Sequence, residues 1–256
     1  GTVDLDNSTY EAVADGNGHG SFVTNQIAAN DSNSSYDGVA PDARIISVKA
    51  LSDDGGGSTQ SISSGLDYAC AQGADVVSMS LGGYLPQPVV QEEMQECFEE
   101  DGVSAIVVAA GNERQSARWL ATPGDLNEEL PLITVAATNT ESPVNASAAY
   151  FSNVGPDALE DNAEPTIGAP GMKIRTYGTT GVEELSGTSM ATPVVSRPLL
   201  QLLGEEPTLR GDEAEVRSRL TRTASPIPAA GTTEVGAGMV NTSQLLSDTE
   251  PSETQE

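Results

Sequence analysis

Two continuous apolar runs constrain the fold of this chain most strongly. Residues 75–81 read Asp-Val-Val-Ser-Met-Ser-Leu, and residues 103–110 are apolar except for Ser104. Neither run alternates with polar residues, and a segment with helical spacing precedes each, at 61–73 and 89–101. Strands that are apolar on both faces and separated by helices are typical of a parallel sheet covered on both sides. We therefore predict a three-layer α/β fold, with a mostly parallel central sheet and helices on both faces.

The remaining pattern extends this architecture. It predicts strands at 44–51 and 132–137 and a helix from about residue 207 to 223. The 256 residues suffice for one domain with a sizeable core, which must be built from Ala, Val, Ile and Leu because aromatic residues make up only 4%. We predict one domain over residues 1–247 and a disordered acidic tail at 248–256.

The charge of the chain excludes two classes of partner. There are 38 acidic residues against 11 Lys and Arg, which gives a net charge of −27. Nucleic acid and anionic membrane surfaces would be repelled, and no apolar run approaches the ~20 residues of a membrane span. Such a charge is screened only when the Debye length falls to ~3 Å near 1 M salt, which indicates a halophilic microbe. The alternative is an acidic secreted protein.

The two cysteines, Cys70 and Cys97, leave two possibilities open. They are too few to form a zinc site by themselves. Each lies at the end of an amphipathic stretch, so both are predicted either as buried thiols or as one disulfide between neighbouring helices.

Ser189 is the first candidate for chemistry. It stands in Gly-Thr-Ser-Met-Ala-Thr-Pro at residues 187–193, before an apolar run. The pattern places a hydroxyl between small residues at a helix N-terminus, where free N–H groups face developing negative charge. The simpler interpretation is a serine N-cap on a core helix. A serine nucleophile also needs a base and oxyanion donors.

Two residues could supply those partners. His19 is the only histidine in the chain and follows a glycine-rich loop at a predicted helix start. A single histidine is more often structural, but no other imidazole is available as a general base. Asn112 follows the apolar run 103–110, at the carboxyl edge of the sheet, where its amide N–H could donate to an oxyanion. A Gly-Asn pair is otherwise usually a turn.

Together these segments resemble the subtilisin-like serine peptidases. The resemblance covers about residues 11–245, with the landmarks His19, Asn112 and Ser189 in family order. It implies that Ser189 is the nucleophile, His19 the general base and Asn112 an oxyanion donor. In subtilisin itself, where this magnitude was measured, loss of such a donor costs about 3–4 kcal/mol.

The resemblance carries further expectations. Ser80, Leu81 and Gly82 would hold an extended polypeptide substrate by strand addition. The chemistry would need no cofactor. Calcium is common in the family as a structural ion, but no segment has the ligand spacing of a known loop, so no metal residues are assigned. A monomer, secreted or held at the cell surface, is expected.

One element of the family pattern is not evident. The triad needs an Asp on an apolar strand before His19, and no such strand is seen. Asp6 is a weak candidate and Asp4 a weaker one, so we predict that this Asp strand is missing and that the domain is incomplete at its N-terminal side. The sheet would then lack a central strand, and the base would lose its orienting carboxylate.

Other departures favour a degenerate relative. Phe22 and Asn25 replace His and Gly of the family pattern, Arg197 replaces a small residue, and Pro198 falls inside a predicted helix. The leading hypothesis is a serine endopeptidase. The second is an inactive pseudopeptidase that binds peptides or partners in the same cleft. The third, an unrelated α/β binding protein, requires every motif match to be accidental.

Overall fold

The structure is a computed structural model. It describes residues 14–29, 40, 43–114, 119–155 and 163–248, together with the backbone of residues 3–4. Asp6 and residues 249–256 lie outside this part of the chain, so the predictions for Asp6 and for the acidic tail stay predictions.

Helices and strands alternate in the first half of the described chain, as the sequence predicts, whereas the second half has three consecutive strands followed by helices. The strands are β1 Val3–Asp4, β2 Val48–Lys49, β3 Val76–Met79, β4 Ala105–Ala109, β5 Ile133–Thr138, β6 Ile167–Pro170, β7 Ile174–Tyr177 and β8 Val182–Leu185. The α-helices are α1 His19–Ala28, α2 Thr59–Ala71, α3 Pro88–Glu99, α4 Thr188–Glu205, α5 Glu213–Arg222, α6 Thr232–Val235 and α7 Thr242–Ser247. Short 3-10 helices cover Gly124–Glu128, Pro143–Asn145 and Pro207–Leu209.

The central sheet is parallel, in the order β3-β4-β5-β6. Residues of β4 alternate between its two faces. Ala105 and Val107 pack into a core with α4 and α5, whereas Ile106 and Val108 pack into a second core with α2 and α3. The predicted three-layer α/β fold is therefore confirmed, and the apolar run 103–110 is continuous because both faces of β4 are covered.

Two predicted elements differ from the structure. The run at 44–51 forms only the two-residue strand β2. The helix predicted from about 207 to 223 is divided, because Gly211 has a φ of +76°, a left-handed conformation that no helix continues through. Asp212 then starts α5 by accepting a hydrogen bond from the Glu215 N–H at 3.0 Å.

The sheet is interrupted between β2 and β3. Strand β2 pairs with β1, strand β3 pairs with β4, and no ladder joins β2 to β3 in the described residues. A cleft of about 1660 Å³ separates them. We call it the β2–β3 cleft. Val76 and Val77 of β3 are only half-buried although they are apolar, and Ile45 beside β2 is 38% exposed. Strand β3 thus has the composition of a central strand and the exposure of an edge.

A disulfide joins Cys70 of α2 to Cys97 of α3. Both sulfur-bearing residues are buried, and the helices pack side by side on one face of the sheet. Of the two possibilities that the sequence left open, the structure contains the disulfide. No helix in the described part of the chain has the length and apolar character needed to cross a membrane.

The disulfide should contribute measurably to stability. It closes a loop with a sequence separation of 27 residues, for which chain entropy predicts about 3.5 kcal/mol. We expect Cys70→Ala/Cys97→Ala to lower the urea midpoint at fixed salt, and a reductant to lower the midpoint of the unmodified protein but not that of the variant. Equal midpoints for the unmodified protein and the variant, both measured without reductant, would show that the disulfide adds no stability.

Candidate active site

The candidate residues from the sequence analysis line the β2–β3 cleft. Its lining includes His19, Ser189, Asn112 and the segment from Ser80 to Gly82. These residues come from the start of α1, the start of α4, the loop after β4 and the loop after β3. The structure therefore brings together all the predicted site residues that it describes, at the carboxyl edge of a parallel sheet.

Ser189 is held by reciprocal hydrogen bonds with Ser80. The Ser189 hydroxyl donates to the Ser80 carbonyl at 3.3 Å, and the Ser80 hydroxyl donates to the Ser189 carbonyl at 2.8 Å. Pro193 lies four residues after Ser189 inside α4 and has no N–H to give to that carbonyl. The Ser80 side chain thus replaces the missing helical donor. The family pattern implies only a backbone role for Ser80, although Pro193 is a signal in the sequence that an outside donor is needed.

Asn112 is fixed by Thr188, a buried residue without a predicted role. The Thr188 backbone N–H donates to Asn112 Oδ1 at 2.8 Å, and the Thr188 hydroxyl donates to the same oxygen at 3.0 Å. Two donors on one side define that atom as the oxygen, so the amide nitrogen Nδ2 lies on the other side. Nδ2 donates to no residue that the structure describes, and Asn112 is exposed at the cleft. A free, oriented N–H donor therefore stands beside Ser189.

The loop after β4 is shaped by Gly111 and Asn153. Gly111 has a φ of +105°, and a Cβ there would lie 2.4 Å from Asn153 Nδ2. Asn153 is fully buried, and its Oδ1 accepts from the Glu113 N–H at 2.7 Å. Only glycine permits this approach, and the contact sets the direction in which Asn112 leaves the strand.

His19 is the first residue of α1 and is half-buried. Burial lowers the pKa of its imidazole, while the charge of Asp15 opposes that shift. The ring forms no hydrogen bond with any described residue. The lowered pKa favours the neutral imidazole, and no carboxylate in the described part of the chain forms a hydrogen bond with the ring. Asp6 lies outside the described residues, and only the backbone of Asp4 is described.

Asp15 holds the start of the histidine helix. Its carboxylate accepts from the Gly18 N–H at 2.8 Å and from the Ser21 N–H at 2.7 Å. Burial alone would raise the pKa of Asp15, but the hydrogen bonds from Ser21 and Gly18 outweigh burial, and the pKa is lowered. Asp15 thus satisfies free N–H groups of α1 that its glycine N-cap, Gly18, cannot. The sequence places Asp15 within the histidine motif but does not indicate this role.

The two residues of α1 that differ from the family pattern, Phe22 and Asn25, make specific contacts. Phe22 is fully buried and packs with Val23 and with Met190, which follows the nucleophile candidate. The Asn25 amide donates to the Tyr177 carbonyl of β7 at 2.9 Å. Both larger side chains therefore tie α1 to the segments around Ser189.

The departures on α4 are tolerated as well. The helix runs unbroken from Thr188 to Glu205 through Pro193 and Pro198. Burial lowers the pKa of the Arg197 guanidinium, and the charge of Glu141 opposes this.

Asp15 should stabilise the protein only above acidic pH. Because its pKa is lowered in the folded state, its contribution is present above the unfolded value of about 3.9 and is lost as pH falls through the lowered value. We expect Asp15→Asn to cost about 1 kcal/mol, or ~2–4 °C in Tm, at pH 7. That difference should shrink as the pH falls below about 3.9 and close once the pH is below the lowered pKa of Asp15. Asp67→Asn, at an exposed acid on α2, is the control. A difference that stays constant across this range would contradict the capping role.

Comparison with known proteins identifies the family of this chain. The model of the subtilase family matches residues 2–248. Subtilisin DY from Bacillus licheniformis is 33% identical over 230 residues, which cover 89% of this chain and 77% of that protein. The major intracellular serine protease of Bacillus subtilis (strain 168) is 36% identical over 243 residues, covering 90% of this chain and 70% of the relative.

Solved structures show the same likeness. Sphericase superposes with a TM-score of 0.81 at 28% identity, covering 93% of this chain and 82% of that one. A cold-adapted subtilisin-like serine proteinase gives a TM-score of 0.70 at 28% identity, covering 94% of this chain and 79% of that one. The two relatives share sequence with most of this chain, and the two solved structures share its fold. The chain is therefore a member of the subtilase family of subtilisin-like serine proteases.

Proposed function

We propose that this chain is a serine endopeptidase that hydrolyses polypeptides through an acyl-enzyme. Ser189 attacks the peptide carbonyl, and His19 takes its proton and later gives it to the leaving amine. Asn112 Nδ2 and the Ser189 backbone N–H stabilise the oxyanion. The observation that carries the proposal is the Thr188–Asn112 pair, because it fixes an amide donor beside a serine at a helix N-terminus.

Substrate binding is assigned to the end of β3. Ser80, Leu81 and Gly82 follow this strand and line the cleft next to Ser189. An extended polypeptide could add to this segment through main-chain hydrogen bonds, which place its carbonyl group over the serine. Gly82 packs closely on the loop at residue 121, since a Cβ there would lie 3.0 Å from the Ala121 side chain, so a larger residue would displace this segment.

The third triad member is assigned to a strand that fills the β2–β3 cleft. The cleft is bounded by two strands, by apolar residues of α2 such as Leu66, and by Leu200 and Gly204 of α4. A strand running parallel to β3 would end level with Ser80, on the edge where His19 and Ser189 lie. An Asp at that end would meet the unpartnered imidazole. We infer that a segment outside the described residues supplies this strand.

The setting of the reaction is also a proposal. The net charge of −27 suits high salt, and it favours a monomer because copies repel one another. The disulfide suits an oxidising compartment and so a secreted protein, although one relative is named as intracellular. The structural calcium expected from the family has no assigned residues, since no acidic cluster of three or more marks it in the described part of the chain.

Labelling of Ser189 tests the catalytic proposal. We expect a fluorophosphonate probe to label the protein in multi-molar salt when an apolar peptide ending in Asp is added to fill the cleft. The same peptide ending in Asn is the matched control and should give at least tenfold less labelling. Ser189→Ala and His19→Ala should abolish it. Absence of labelling with either peptide, in protein shown to be folded, would favour the inactive pseudopeptidase.

His19 gives a second, independent readout. It is the only histidine, so a single imidazole signal titrates in the proton NMR spectrum. We expect its pKa to lie below the usual value of about 6.5 in the chain alone, because burial disfavours the charged ring. Addition of the Asp peptide should raise this pKa, since a nearby carboxylate favours the imidazolium, and the Asn peptide should not. An equal pKa with both peptides would show that the acid does not reach His19.

A further inference from the structure

A second cavity lies beside the β2–β3 cleft. It has a volume of about 360 Å³ and is formed by the segment before α3 and by residues 119–126. The antiparallel bridge between Gly83 and Thr122 borders it. Tyr84 and Gln87 line both cavities, so the second one opens where the proposed substrate segment from Ser80 to Gly82 ends. None of the catalytic roles assigned above uses it.

Aromatic side chains stand at the mouth of this cavity. Trp119 is 61% exposed and Tyr84 is 45% exposed. Pro86, Pro88 and Leu126 complete an apolar wall. Two exposed rings beside a pocket suit a ligand that has both an apolar stem and a positive charge, because ring faces attract cations and methylene groups pack well on them.

Two acceptor oxygens on the polar side of the cavity have no donor in the described residues. Asp125 Oδ2 accepts from the Thr122 hydroxyl at 2.8 Å, but Asp125 Oδ1 is buried and accepts no hydrogen bond in the described residues. Gln87 Oε1 is buried and equally unpartnered. Buried acceptors are normally paired, so two orphaned oxygens at one cavity require a donor from outside.

The electrostatics of the site favour a cation as that donor. Burial raises the pKa of Asp125, and the charge of Glu129 adds to this, although the hydrogen bond from the Thr122 hydroxyl opposes part of the shift. No ion pair in the described part of the chain includes Asp125. A bound positive charge would remove this penalty, and the net charge of −27 would attract it from solution.

We propose that this cavity binds the lysine or arginine side chain of a polypeptide, with the charged group at Asp125 and Gln87 and the stem between Trp119 and Tyr84. Both amino acids carry several N–H donors and no acceptor, which matches the two unpartnered acceptor oxygens of Asp125 and Gln87. The assignment of that polypeptide as a substrate rests on the proposed function. The cation site itself does not, since it stands on residues outside the catalytic group.

Fluorescence of Trp119 tests the site directly, because it is the only tryptophan in the chain. The probe is Nα-acetyl-lysine N-methylamide, and the neutral comparison is Nα-acetyl-norleucine N-methylamide. Both are titrated into Ser189→Ala protein, which cannot turn them over. We expect a saturable change with the lysine compound and at least tenfold weaker binding of the norleucine compound.

Variants assign the binding to the carboxylate. Asp125→Asn should weaken the lysine compound at least tenfold, whereas Glu128→Gln, at an exposed acid in the same 3-10 helix, should change binding less than twofold. Circular dichroism establishes that each variant is folded. Equal binding of the two compounds, no saturable change in folded protein, or unchanged binding by Asp125→Asn would each overturn the proposal. The Trp119 titration measures binding alone, so it can support the cation site even if Ser189 is not labelled. Equally, Ser189 can be labelled even if the lysine compound does not bind.

Discussion

The packing of α4 on the parallel sheet is the constraint on which the rest of the structure depends. The helix crosses β3, β4, β5 and β6 and contributes Ala191, Val195 and Leu199 to the core. Ser189 is fixed at its N-terminus because the following turns are buried. Thr188, on the same turn, orients Asn112. The positions of the proposed nucleophile and the proposed oxyanion donor are thus set by one packed helix, which explains how two chain segments 76 residues apart keep their relative position.

This arrangement also explains the unusual tolerance of proline in α4. Pro193 removes one helical hydrogen bond, and the Ser80 hydroxyl supplies the donor that the Ser189 carbonyl would otherwise lack. The hydrogen bond from Ser80 links the end of β3 to the helix where the reaction would occur. The hydrogen bond that Pro193 cannot make is therefore replaced by one that fixes the position of α4 relative to β3.

Much of this could be predicted from the sequence, and the limits have physical reasons. The apolar run 103–110 predicted a strand covered on both faces, and the segment 187–193 predicted a serine at a helix start, because both signals are local. The break at Gly211 was missed because a single left-handed residue does not disturb hydrophobic spacing. The sequence could not predict that Trp119, Asp125 and Gln87 line the same cavity, since this depends on how two loops pack together. The sequence predicted that the sheet lacks a central strand, but the residues that line the β2–β3 cleft could be identified only from the coordinates.

The gap beside β3 has a consequence for the handling of the protein in solution. Among the described residues β3 has an open edge with apolar flanks, and such an edge is a template for any extended chain, including another copy of the same molecule. The large negative charge keeps copies apart in dilute salt, and concentrated salt weakens that repulsion while it strengthens apolar contacts. Concentrated salt, which screens the repulsion between charges within one molecule, is thus also the condition in which edge-to-edge aggregation is least opposed. Colloidal stability and conformational stability of this chain respond to salt in opposite directions until the edge is covered.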